Sequence, residues 1–193
     1  MVILSFLKAN KKIREKKKEI LENGSILKEK YVYLSEEDLN NLNNASLDRK
    51  KLLESKSNYI LISNSIFIGF LANIVDKSET IVEGIFICLI FVLLIVSVIM
   101  ILHMLIEKQK IYQKQVNYNR EKKSIRKIHL SACYELNNYS NLIRNNYLVM
   151  SYNLLIFAII CIMVLMFYKV LIPKNSNPNG ITIYNNYIKT NAK

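Results

Sequence analysis

Three stretches almost free of charge dominate this chain: Tyr59–Val75, Gly84–Ile106 and Tyr147–Tyr168, of 17, 23 and 22 residues. A hydrocarbon core about 30 Å thick is crossed by roughly 20 apolar residues in helical form. Lipid offers no partner for backbone polar groups, so only helices or closed barrels span it. None of the three stretches alternates apolar and polar residues as barrel strands do. They therefore predict an all-α membrane protein with three transmembrane helices. A composition of 51% apolar and 22% charged residues is awkward for one globular core of 193 residues. Segregation of the two classes into blocks removes the conflict.

Basic residues set the expected orientation through the positive-inside rule. Lys and Arg number 13 before the first span, 9 in the connection 107–146, one (Lys77) in the hairpin and 4 after Tyr168. An N-terminus and long connection in the cytoplasm place 22 of these inside and 5 outside. The expected location is thus the inner membrane, multi-pass, with the N-terminus cytoplasmic. Met1–Leu7 is apolar, but its positive charges follow it and no small-residue cleavage site appears, so it does not read as a signal peptide. Followed by Lys8–Lys18, it could rest at the membrane surface or form a solvated helix.

The chain divides into a basic helical region 1–57, a two-span hairpin 58–106, a basic amphipathic helix 107–146, a third span 147–172 and a polar tail 173–193. Asn23-Gly24-Ser25 has the composition of a helix C-cap. Ser35 followed by Glu36, Glu37 and Asp38 reads as an N-cap with acids at the positive end of the dipole. That second helix is expected to run straight into the first span. In the connection, one heptad position reads Ile111, Tyr118, Ile125, Ala132, Tyr139, and a second becomes apolar late, with Leu136 and Ile143. Forty helical residues would project about 60 Å. Such an arm needs a partner: itself, the 35–57 helix or a second subunit, which makes a homo-oligomer an expectation. The tail 173–193 suits disorder or a weak hairpin equally. Cys88, Cys133 and Cys161 show no metal or CxxC spacing, so neither a structural disulfide nor a metal site is expected.

Catalytic motifs are missing, and neither His103 nor His129 has a partner in sequence that acid–base chemistry would require; no enzyme activity and no cofactor are expected. Three groups of residues carry other signals. Asn58, Ser65, Gly69 and Asn73 share one stripe of the first span at 100° per residue, while Ser57 and Asn64 share a second. Such a stripe lines a pore or bonds helices together, the latter being the commoner use. Arg120, Lys122, Lys123, Arg126 and Lys127 form a basic cluster that suits a phosphate-bearing ligand or an anionic lipid surface. The positive-inside rule accounts for the same charges without a ligand. No recognition motif accompanies them, so a nucleic-acid polymer is not an expected partner. Glu54 and Lys56, two apart, do not pair on a helix and need separate partners.

Glu54-Ser55-Lys56-Ser57 leading into Tyr59–Asn64 resembles the acid–x–Lys–small entry of the first span in the Pycsar transmembrane effectors of bacterial anti-phage defence. Leu142–Tyr147 followed by Ser151, Tyr152 and Asn153 resembles the same family's entry into its last span. The hairpin, long basic helix and third span match its plan over roughly residues 47–167. Glu54 replaces a customary Asp, Ser57 an Ala and Asn146 a Lys or Arg. The resemblance implies a protein that senses a cyclic mononucleotide at its cytoplasmic side and permeabilises the inner membrane in abortive infection. A constitutive channel or lysis-type protein, or a passive subunit of a membrane complex, remains the alternative.

Overall fold

The computed structural model describes residues 2–22, 30–75, 80–107 and 123–171, with side chains from Ser5 in the first segment and from Ile125 in the last. These residues form four helices: α1 (Val2–Glu22), α2 (Glu36–Val75), α3 (Ile81–Ile106) and α4 (Lys123–Leu171). Three of them, α2, α3 and α4, are long and apolar enough to cross a membrane. The all-α expectation holds, and the predicted ends of the first two spans coincide with the ends of α2 and α3. The tail 173–193, the Asn23-Gly24-Ser25 cap and the heptad positions Ile111 and Tyr118 lie outside the described residues.

Capping fixes where two helices start. Ser35 Oγ accepts from the Asp38 amide at 3.0 Å, and Asp38 Oδ2 accepts from the Ser35 amide at 2.9 Å, a reciprocal box opening α2. A bond from the Ser35 hydroxyl to Asp38 Oδ2 at 2.6 Å, with the one from the Ser35 amide, holds the Asp38 carboxyl below its ordinary range. Thr80 Oγ1 accepts from the Glu83 amide at 3.2 Å and opens α3.

Buried positions along the bundle repeat at alternating three- and four-residue steps. On α3 they are Glu83, Ile87, Ile90, Leu94, Ser97, Ile101 and Met104. On α4 they run Leu148, Ser151, Leu155, Ala158, Ile162 and Leu165. That spacing is the left-handed knobs-into-holes seam of helices crossing at about 20°. Outward from it, Ile85, Val92, Phe157 and Val164 are among many large apolar side chains left exposed. A water-soluble protein rarely exposes so much contiguous apolar surface; a lipid surround needs it.

α2 and α4 each cross the boundary between polar arm and apolar span without a break, so residues 57/58 and 146/147 divide composition but not structure. In the arms the same seam continues with polar residues. Asn137 Nδ2 donates to Asn43 Oδ1 at 3.1 Å, and Asn141 Nδ2 donates to the Ser46 carbonyl at 2.7 Å. The long arm of α4 therefore packs on the 35–57 helix, one of the partners expected for it. Leu136 and Ile143 of the expected seam are buried within the chain, Ala132 and Tyr139 half-buried, and Ile125 is 42% exposed. α1 lies along α4 in the opposite sense, with Phe6 edge-on to Tyr147 at 5.1 Å and Lys17 donating to Ser140 at 2.8 Å.

The segment after α1 is fastened by Glu135, which is 3% exposed. It accepts from Tyr31 Oη at 2.5 Å and pairs with Lys30. Hydrogen bonding to Glu135 raises the Lys30 pKa, and burial together with Glu135 raises that of the Tyr31 hydroxyl. Both folded values lie above the unfolded ones, so both contributions are complete below about pH 10 and fade as pH rises beyond it. In an alkaline titration followed by tyrosinate absorbance, one tyrosine should ionise later than the rest, and Tyr31→Phe should remove that late step. If it persists in Tyr31→Phe, the shielded hydroxyl is not Tyr31.

Candidate functional site

Where the arms meet the apolar half, all four helices contribute a charged residue to one junction. At its centre is Arg144 of α4, only 2% exposed. Its Nη2 donates to the Glu107 carbonyl at the end of α3, while Nε and Nη1 have no hydrogen-bond partner. Burial holds this guanidinium below its ordinary pKa, against the opposing pull of the Glu54 and Glu107 carboxylates. Glu107 is paired with Lys17 of α1 at 2.5 Å, and Glu54 of α2 with Lys50 at 3.6 Å. A buried cation with two idle donors is costly. The junction is therefore poised: small shifts of the arms change how much counter-charge Arg144 feels.

Two to three turns further into the apolar half, the three spans share a polar node. Ser97 and Ser151 hydroxyls lie 2.8 Å apart, and Ser151 Oγ also donates to the Ser97 carbonyl at 2.9 Å. Asn64 Nδ2 donates to Ser97 Oγ at 3.1 Å. All three residues are fully buried. The Asn64 stripe, and not the Asn58 stripe, thus supplies the bonding between helices.

The residues of the other stripe face outward. Asn58, Ser65, Gly69 and Asn73 are exposed. Ser65 and Asn73 turn their side chains back to the carbonyls of Leu61 and Gly69 at 3.0 and 3.2 Å. A Cβ added at Gly69 would meet nothing within 4 Å, so its small size serves no close approach within this chain. Lys56 is exposed, Tyr152 is 53% exposed and Asn153 lies on the same outer side. Of the family-like positions, Ser57 and Ser151 are fully buried, and Glu54 is half-buried at the junction.

Arg120 and Lys122 of the basic cluster lie outside the described residues, as does the side chain of Lys123. Arg126 pairs with Glu36, the first residue of α2, at 3.0 Å, and Lys127 donates to the Val32 carbonyl at 3.1 Å. The cluster therefore sits at the arm tips and touches the segment that opens α2.

Sequence reasoning passed over Arg144, Glu107 and Ser97. Arg144 does continue a readable pattern: Asn137, Asn141, Arg144, Leu148 and Ser151 step by four and three residues onto one face. A search for apolar periodicity alone discards its polar members. Comparison with family models, curated proteins and solved structures finds no match for the chain.

Proposed function

We propose that this chain is a signal-gated membrane-permeabilising effector of the anti-phage kind. A cyclic mononucleotide reaching the cytoplasmic arm tips would trigger it in the inner membrane. One observation carries the reading. A single unbroken helix, α2, holds the ion-pair partner of Arg126 at its first residue and the outward polar stripe at its other end. A phosphate that takes Arg126 from Glu36 acts on the same rigid rod whose far half carries Asn58, Ser65, Gly69 and Asn73. Charge-assisted bonds to phosphate contribute about 1.5–3 kcal/mol each, enough to shift an equilibrium between two arm arrangements. Between copies of the chain, the stripe would give a permeation path its polar wall.

Dye entry into cells that carry the protein tests this, with and without a cyclic-nucleotide source. Entry should depend on the nucleotide. Arg126→Gln with Lys127→Gln should abolish the dependence while leaving insertion intact. Asn58→Leu with Asn73→Leu should preserve nucleotide binding and block entry. Equal entry with and without nucleotide contradicts the sensor and favours a constitutive channel. No entry under any condition contradicts the effector and leaves a passive subunit.

A further inference from the structure

We propose that α1 and Tyr147 form a binding site for the phosphate of an anionic phospholipid headgroup. A groove of about 360 Å³ runs beside α1, with Lys11, Arg14 and Lys18 along it and Leu7 at its lower end. These four residues recur at helical spacing and fall on one side of α1, next to the face that packs on α4. Tyr147 and Asn10 close the inner wall. Arg14 reaches the Tyr147 hydroxyl at 3.5 Å. The single acid in the wall is Glu15.

Two further observations point to a ligand. Asn10 is 5% exposed and accepts from Asn146 at 2.7 Å, yet its Nδ2 has no partner. A buried amide donor without an acceptor costs about 1–3 kcal/mol, and an anion in the groove supplies the acceptor. Depth is the second. Phe6 packs edge-on against Tyr147, and Ser5 and Phe6 line a neighbouring groove with Val149, Met150 and Asn153, already within the third span. Phe6 and Leu7 therefore lie level with the hydrocarbon edge, and Leu7 is 55% exposed. At 1.5 Å per residue, Lys11 and Arg14 stand about 6 and 10 Å above Leu7, at the depth of the headgroup layer. An exposed apolar residue below a cationic groove fits an acyl chain below a phosphate, which a soluble phosphate would not use.

Thermal unfolding of the full chain in neutral detergent, with added phosphatidylglycerol, phosphatidylcholine or inorganic phosphate, tests the site. Phosphatidylglycerol should raise the midpoint at concentrations where the other two do not. Each basic residue beside an anionic surface is worth roughly a fivefold factor. Lys11→Gln, Arg14→Gln and Lys18→Gln together should weaken the apparent phosphatidylglycerol affinity by about a hundredfold. Lys8→Gln, Lys12→Gln and Lys16→Gln remove equal charge from the opposite side of α1 and should weaken it by less than about threefold. If the first triple fails to fold, Lys11→Gln with Lys18→Gln keeps the Arg14–Tyr147 contact and should show an intermediate loss. Equal losses from the two sides of α1 would reduce the site to diffuse attraction. A midpoint raised equally by phosphatidylcholine would overturn headgroup selection, and one raised equally by inorganic phosphate would assign the groove to a soluble anion.

Discussion

Replacing Glu54 and Glu107 together with Gln is expected to destabilise the bundle by about 3 kcal/mol, whereas Arg144→Met should leave stability unchanged or raise it. The asymmetry follows from the geometry of the junction. Without the two carboxylates, Arg144 at 2% exposure and its neighbour Lys17 are left as buried or half-buried cations without counter-charge. Breaking a buried ionic group typically costs about 3–5 kcal/mol. The lower end applies because Glu54 is 35% exposed and solvent screens it. Removing Arg144 instead removes the group with two idle donors, while Glu107 keeps Lys17 and Glu54 keeps Lys50. Replacing buried ionic groups by apolar ones of similar volume is often neutral or stabilising by about 1–4 kcal/mol. Denaturant unfolding in detergent measures both variants. A loss of several kcal/mol in Arg144→Met would mean that Arg144 holds the junction together and does not strain it.

Leu136→Asp with Ile143→Asp should have the larger effect, about 4 kcal/mol or more, with the arms coming apart. Leu136 is 5% exposed and Ile143 fully buried, so each Asp would either stay charged in an apolar site or take up a proton to enter it. Because both residues are buried within one chain, the loss should not vary with protein concentration. The readout is helicity against denaturant at two protein concentrations well apart. Arms that remain folded while only the size of a complex falls would place this seam between chains.

The spans, the ends of the first two and the Ser35 cap were all legible in sequence, because each rests on local composition. Lipid demands a run of apolar residues, and a cap demands Ser and Asp three apart. The interior of the arms was less legible. Asn43, Ser46, Asn137, Asn141 and Arg144 occupy seam positions that apolar periodicity passes over, since a polar residue on a helix normally marks the wet side. α4 also packs on all three of the other helices, so the apolar seam at Leu136 and Ile143 is only one of its buried faces. Of the two polar stripes of the first span, the four-residue one, Asn58, Ser65, Gly69 and Asn73, was the stronger pattern, yet the two-residue one supplies the inward Asn64. Which one faces inward depends on where α3 and α4 sit, which no single segment encodes.

The central claim is that arm movement gates the membrane. In a chain whose Cys88, Cys133 and Cys161 are replaced by Ala, Ser46→Cys and Asn141→Cys would place two thiols where the Asn141 amide now reaches both the Ser46 carbonyl and hydroxyl, at 2.7 and 3.1 Å. Dye release from liposomes carrying this protein, with a cyclic nucleotide on the arm side, then compares the oxidised and reduced forms. Oxidation should link the arms within one chain at monomer mass and abolish nucleotide-dependent release, and reductant should restore it. Release that continues at full rate with the arms linked would contradict the claim.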